Sequence, residues 1–292
     1  MTTQALDASA VGILAAETLE HATQATVLAV FERSFYLDTG DDLVAVIAND
    51  LPDGPLNLRV PGLSAAGIAC GQRWTLTPLL LQSGTGLAID LAKATVWAPD
   101  AAPPLDRQAL AYGLDILLSN LVTLNLPSDG LIRLALHSAT PATPVEQAAA
   151  APLARLTTAL GQSFQGESAT FDSVEQLIGL GPGLTPSGDD LLAGALITCH
   201  HLGEIESAQP LAAAVCAVAA ATNRISQAHL QAAARGYVAA PLHDLLHASL
   251  TTGRRSLRQD LDVAGKIGHS SGLDALAGII LTLRTWLAAA SG

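Results

Sequence analysis

GLGPGLTPSGDDLLAG, Gly179–Gly194, is the stretch on which the reading of this chain turns. Four glycines and two prolines precede an aspartate pair that opens an apolar helix. Part of this is explained by helix capping: Ser187 as N-cap and Asp190 three residues on form a capping box, and both acids complement the positive helix end. Capping needs neither Gly181-Pro182-Gly183 nor Thr185-Pro186. A Gly-rich turn feeding a helix start exposes backbone N–H groups to an anion, so Gly183, Thr185, Ser187 and Gly188 are candidate anion-binding residues. Asp189 and Asp190 would repel that anion unless a divalent cation stood between them, which makes Mg²⁺ the candidate metal.

A second segment, GHSSGLDALAG at Gly268–Gly278, echoes the first at an offset of 84 residues. Ser187, Gly188, Asp190, Leu192, Ala193, Gly194 and Thr198 recur as Ser271, Gly272, Asp274, Leu276, Ala277, Gly278 and Thr282. Ala-Gly pairs that let helices pack closely account for part of the match. The paired Ser-Gly-x-Asp asks for more, and two helix starts are expected to converge on one site, adding Ser271, Gly272 and Asp274 to it. Gly268–Gly272 also fits G-x-S-x-G, but no histidine follows Ser270 to serve as its base, so a nucleophile elbow is rejected. His269, Ser270 and Asp190 are the catalytic candidates. Asp189, Asp190 and Asp274 are the candidate metal ligands.

Between the two segments, Thr222-Asn223-Arg224-Ile225-Ser226 breaks two Ala-rich helices, with Ser226 read as N-cap and Arg224 as a clamp for a carboxylate or phosphate. His243 and His247 share a helix face, but the intervening acid is Asp244 and no third ligand is evident, so a polar face is preferred to a zinc site. His200-His201 reads as a helix end, and Arg254-Arg255 as a solvated turn.

Outward from these motifs the chain divides. Ala25–Phe31, Leu43–Ile47, Leu56–Val60, Trp74–Leu80 and Leu87–Trp97 are short β-type runs separated by turn-formers, as in an antiparallel sandwich or barrel. Leu105–Asn125 has helical spacing. A Pro/Ala/Thr-rich stretch at 138–152 reads as a linker between a β-rich domain at 1–137 and an Ala-rich helical domain at 153–292. The expected fold class is α+β.

The 292 residues carry a formal net charge of −12, with no basic stripe for phosphates, which argues against nucleic-acid binding. Mean hydropathy is +0.39, yet the clean apolar stretches stop near a dozen residues, short of the ~20 a membrane span requires. Met1–Ala10 has no basic residue before a hydrophobic run, and the first Arg is Arg33, so the N-terminus does not read as a signal peptide and a cytoplasmic location is expected. Cys70, Cys199 and Cys216 read as reduced core thiols.

Taken together, GLGPGLTPSGDDLLAG, TNRIS and GHSSGLDALAG, in this order and behind a β-type half, resemble the AllH family of oxamate carbamoyltransferase subunits. The resemblance implies a cytoplasmic component of allantoin and purine nitrogen catabolism. It implies AllF-like and AllG-like partners, and interconversion of oxalurate plus phosphate with oxamate plus carbamoyl phosphate, all small anions. The site residues above come from motif chemistry and not from the family. Two other readings compete: a stand-alone Mg²⁺-dependent enzyme acting on a phosphorylated or amide substrate, and a non-catalytic scaffold whose motifs only cap and pack helices.

Overall fold

The computed structural model describes residues 4–124, 126–127, 129–136, 140–250 and 257–289. It forms two compact units, 1–99 and 100–292. The first is built on ten strands among the described residues: β1 (Gln4–Asp7), β2 (Ala10–Gly12), β3 (Gln24–Val30), β4 (Ser34–Asp38), β5 (Leu43–Ala48), β6 (Asn57–Val60), β7 (Arg73–Thr77), β8 (Leu80–Ser83), β9 (Leu87–Asp90) and β10 (Thr95–Trp97). They make one curled sheet in the order β1-β9-β8-β7-β3-β4-β5-β6-β2-β10, with helix α1 (Ile13–His21) after β2. Inward and outward residues alternate in β7, where Trp74 and Leu76 are buried between exposed neighbours, as a sheet with one covered face requires. Trp74 stacks on Phe35 of β4 at 5.4 Å within this core.

The α+β class is as expected, and of the sandwich and the barrel expected for the β unit the sheet takes the barrel-like form, as a half-barrel, but the pairing is mixed. β1·β9, β5·β6 and β2·β10 run parallel. β1·β9 and β2·β10 are distant in sequence and leave no local turn signal, and the short β5–β6 connection, with its Pro52-Asp53-Gly54-Pro55 turn residues, reads as an antiparallel hairpin, which is why an all-antiparallel sheet was expected. The single run at Leu87–Trp97 is two strands far apart in the sheet, β10 at one edge and β9 next to β1 at the other.

The second unit is helical: α2 (Arg107–Val122), α3 (Ile132–Leu136), α4 (Pro144–Phe164), α5 (Val174–Leu177), α6 (Ser187–His201), α7 (Ile205–Val218), α8 (Arg224–Ala234), α9 (Ala240–Leu250), α10 (Leu257–Ala264) and α11 (Ser271–Ala289). The division at Pro99/Asp100 moves the expected boundary, and residues 144–152 are helix rather than linker. Thr143 and Glu146 form a capping box, Pro144 takes the first helical position where no N–H is needed, and Pro152 lies inside α4. Composition alone misread this stretch because Pro at a helix start is a helix signal. The Arg254-Arg255 turn lies outside the described residues.

α6 and α11 form the centre. Thr185 and Ser271 meet at one end of the pair, and Trp286 Nε1 donates to Glu204 Oε1 at 2.8 Å at the other, so the two helices run parallel. A Cβ on Gly194 would fall 1.9 Å from the Ala275 carbonyl oxygen, and one on Gly278 1.9 Å from that of Leu191. These two contacts exchange under the 84-residue offset, so the sequence echo is also a packing echo. α11 is the one helix among the described residues long and apolar enough to cross a membrane, but two thirds of it is buried against α6, α4 and α3. Cys199 is buried, whereas Cys70 and Cys216 are exposed and are not core thiols.

Candidate functional site

The α6 start is held differently from the expected capping box. Pro186 is the N-cap, with no side-chain cap, and Ser187 is the first helical residue, 2% exposed. The N–H of Gly188 donates to Leu180 O at 2.8 Å, and those of Asp189 and Asp190 to Pro186 O at 2.9 and 3.1 Å. α11 repeats this: Gly272 N–H donates to Ile267 O at 3.1 Å and Asp274 N–H to Ser270 O at 2.8 Å. Several of the backbone donors expected to face an anion therefore serve the loops that precede them.

Asp189 and Asp190 have separate tasks. Asp189 is 1% exposed and accepts Gly179 N–H at 2.7 Å on Oδ1, with Thr222 Oγ1 at 2.6 Å and Ser226 Oγ at 2.7 Å on Oδ2. It ties the Gly-rich loop to the start of α8. There Asn223, not Ser226, is the N-cap, accepting from Ile225 and Ser226 N–H, while its amide donates to Leu184 O at 2.9 Å. The polar residues of the Thr222–Ser226 break thus clasp the loop. Arg224 opens α8 beside them, half-buried. Gly183 is exposed in the loop at φ +94°.

Asp190 turns to the other helix. The Thr185 and Ser271 hydroxyls lie 2.6 Å apart, and both face its carboxyl. Burial pushes Asp190 well above the ordinary carboxylate range; Ser271 pulls it down, Asp274 and Asp189 push it further up, and Thr185 again lowers it. Asp274 is fully buried and answers this arrangement with the roles exchanged, since the Ser187 and Ser270 hydroxyls face it. Its Oδ1 accepts Leu131 N–H at 2.6 Å. Burial raises Asp274 too, opposed by Leu131, Ser187 and Ser270, with the Asp129 charge adding to the rise. The Oδ2 atoms of Asp190 and Asp274 are both buried without a hydrogen-bond partner.

The expected convergence thus brings together Thr185, Ser187, Asp190, Ser270, Ser271 and Asp274, and leaves Asp189 outside. Among the described residues no three His, Cys, Asp or Glu side chains are grouped to hold a metal ion, so the expected Mg²⁺ triad becomes a carboxyl pair. His269 is on the rim, its side chain 81% exposed, with Nε2 3.1 Å from Asp129 Oδ2. His243 accepts Val238 N–H at 3.1 Å and packs on the His201 ring at 5.2 Å, a buried structural pair.

Sequence reasoning missed Asp129-Gly130-Leu131. A Cβ on Gly130 would lie 2.6 Å from Asp274 Oδ1, so only glycine lets this turn reach the buried carboxyl. The available signal was an Asp-Gly turn opening an apolar run.

Fold and site define an α+β chain whose helical unit carries a duplicated Gly/Ser-Gly-x-Asp helix start with a buried carboxyl pair. Residues 177–283, a little over a third of the chain, match the family model described as oxamate carbamoyltransferase subunit AllH, and both copies of the helix start lie within the match. No solved structure matches the chain.

Proposed function

We propose that the chain is a subunit of a multi-component carbamoyltransferase of the oxamate carbamoyltransferase type, working in the cytoplasm with AllF-like and AllG-like partners in allantoin and purine nitrogen catabolism. The observation that carries this reading is that the paired helix starts, with Asp190 and Asp274 between them, fall inside the family match. The reaction moves a carbamoyl group from oxalurate to phosphate. A phosphate oxygen attacks the carbamoyl carbon, the bond from that carbon to the oxamate nitrogen breaks, and a proton must end on that nitrogen. Burial makes the Asp190 carboxyl hold its proton more tightly than an ordinary carboxylate does, and Asp190 is assigned the role of holding such a proton. Ser270 and Ser271 supply hydroxyl donors at the same place. Arg224 is the cation for the anionic part of the substrate, and His269, exposed on the rim, acts where a partner covers it.

The test is reconstitution. With all three subunits, oxalurate and phosphate should give carbamoyl phosphate, and omission of this chain should abolish turnover. Full activity of the partners without it would overturn the proposal.

The scaffold reading draws on one specific observation, the Gly194 and Gly278 approaches, which explain those two glycines by packing alone. They do not explain two buried carboxyl oxygens without donors.

A further inference from the structure

We infer that the Asp190–Asp274 pair binds the N–H side of a neutral ureido or amide group, and that the two helix starts are not the phosphate site. The inference deepens the proposed function by assigning one part of the substrate to this place, and it rests on that reading only for the substrate's name. Three observations carry it. Asp274 is fully buried, and its Oδ2 has no hydrogen-bond partner, nor has the buried Oδ2 of Asp190. A buried polar atom without a partner is costly, so these two oxygens leave hydrogen-bonding capacity for a ligand to complete. Next, the first-turn N–H groups of Gly188, Asp189 and Gly272 go to preceding carbonyls, which takes from an anion part of what helix starts usually offer it. Last, a carboxylic acid pairs with an amide or ureido group through one N–H and one C=O, and a carboxylate accepts two parallel N–H groups, while neither form supplies an anion with a positive charge. The Thr185 and Ser271 hydroxyls, joined at 2.6 Å, lie beside Asp190 and can turn toward a carbonyl oxygen.

Two probes separate the alternatives. Acetylurea keeps the ureido group of oxalurate and replaces its carboxylate with a methyl group, while inorganic phosphate offers only the anion. Binding of each is measured by calorimetry, on the chain alone and assembled with its partner subunits. Acetylurea should bind, and Asp190→Asn or Asp274→Asn should weaken it by about tenfold or more, because a site that hydrogen-bonds a ligand is sensitive to the loss of one acceptor. Phosphate affinity should be unchanged in both variants. Retained helical circular dichroism shows which variants fold. Should Asp274→Asn not fold, Asp190→Asn and Ser271→Ala, at half-buried positions, give the same reading. Failure of acetylurea to bind in either setting overturns the inference, as does phosphate binding that strengthens when either acid is neutralised. Acetylurea binding lost in Asp190→Asn, with no transferase turnover in the reconstituted set, would keep the inference and overturn the proposed function. Turnover with no ureido binding at the pair would do the reverse.

Discussion

Thr185 and Ser271, 86 residues apart in the chain, bring their hydroxyl oxygens to 2.6 Å and join the loops that open α6 and α11. Around that contact the two helix starts exchange partners. The Ser271 hydroxyl faces Asp190 from one helix, and the Ser187 hydroxyl faces Asp274 from the other. The arrangement needs the helices side by side and parallel, and it depends on glycines that carry no chemistry.

Gly194→Ala and Gly278→Ala should each destabilise the helical unit by about 2 kcal/mol, the range of overpacking, because the added methyl would sit 1.9 Å from a backbone carbonyl oxygen. Gly183→Ala is the control: its φ of +94° strains any side chain, but no atom lies within 4 Å, so its cost should stay near 1 kcal/mol. Urea unfolding of the three variants checks the order.

Asp189→Ala should cost about 3 kcal/mol, since it leaves Gly179 N–H and the Thr222 and Ser226 hydroxyls without their acceptor in a buried place. Proteolysis should then cut the Gly-rich loop faster than in the parent protein. Unchanged stability and unchanged cleavage would show that Asp189 does not hold the loop.

Stability should respond to pH with opposite slopes from two sets of groups. Asp190 and Asp274 are raised in the folded state, so folded protein holds their protons to higher pH than unfolded chain does. Their contribution is present below about pH 4 and is lost as pH rises through their folded values. His243 of α9 and His229, which lies in α8, are lowered by burial, to about 3 and about 4, so their contribution is present above about pH 6.5 and is lost as pH falls toward those values. Urea midpoints between pH 4 and 8 should fall less on the alkaline side in Asp190→Asn, and less on the acid side in His243→Gln. Parallel profiles for variants and parent would contradict both assignments.

His269→Ala should leave stability within about 0.5 kcal/mol, because an exposed His–Asp pair contributes little. Turnover of the proposed assembled enzyme should nevertheless drop, since the proposed function gives His269 a role on a rim that a partner would cover. Equal turnover with and without the imidazole would remove His269 from the chemistry.

The convergence of the two helix starts was legible because Ser-Gly-x-Asp recurs over seven of twelve positions, and residues repeated at a helix start take repeated places in space. What each acid does there was not legible. Asp189 and Asp190 are neighbours in sequence, but successive helix positions point about 100° apart, so one meets α8 and the other α11. Leu131, the donor to Asp274, comes from 143 residues away. The short strands were legible from alternation and turns, whereas β1 against β9 and β2 against β10 depend on non-local pairing that no local pattern encodes. The 138–152 stretch was misread because Thr143, Pro144 and Glu146 start a helix in spite of linker-like composition.

The central claim is that the carboxyl pair between α6 and α11 works in carbamoyl transfer, and turnover of the proposed three-subunit enzyme, reconstituted with Asp190→Asn, tests it most directly. Asn preserves the shape of Asp190 and removes its proton-holding carboxyl. We expect carbamoyl phosphate formation from oxalurate to fall about a hundredfold or more, the scale of a lost general acid, with assembly unchanged by gel filtration. Parental turnover by a correctly assembled Asp190→Asn enzyme would contradict the account and leave the paired helix starts as packing alone.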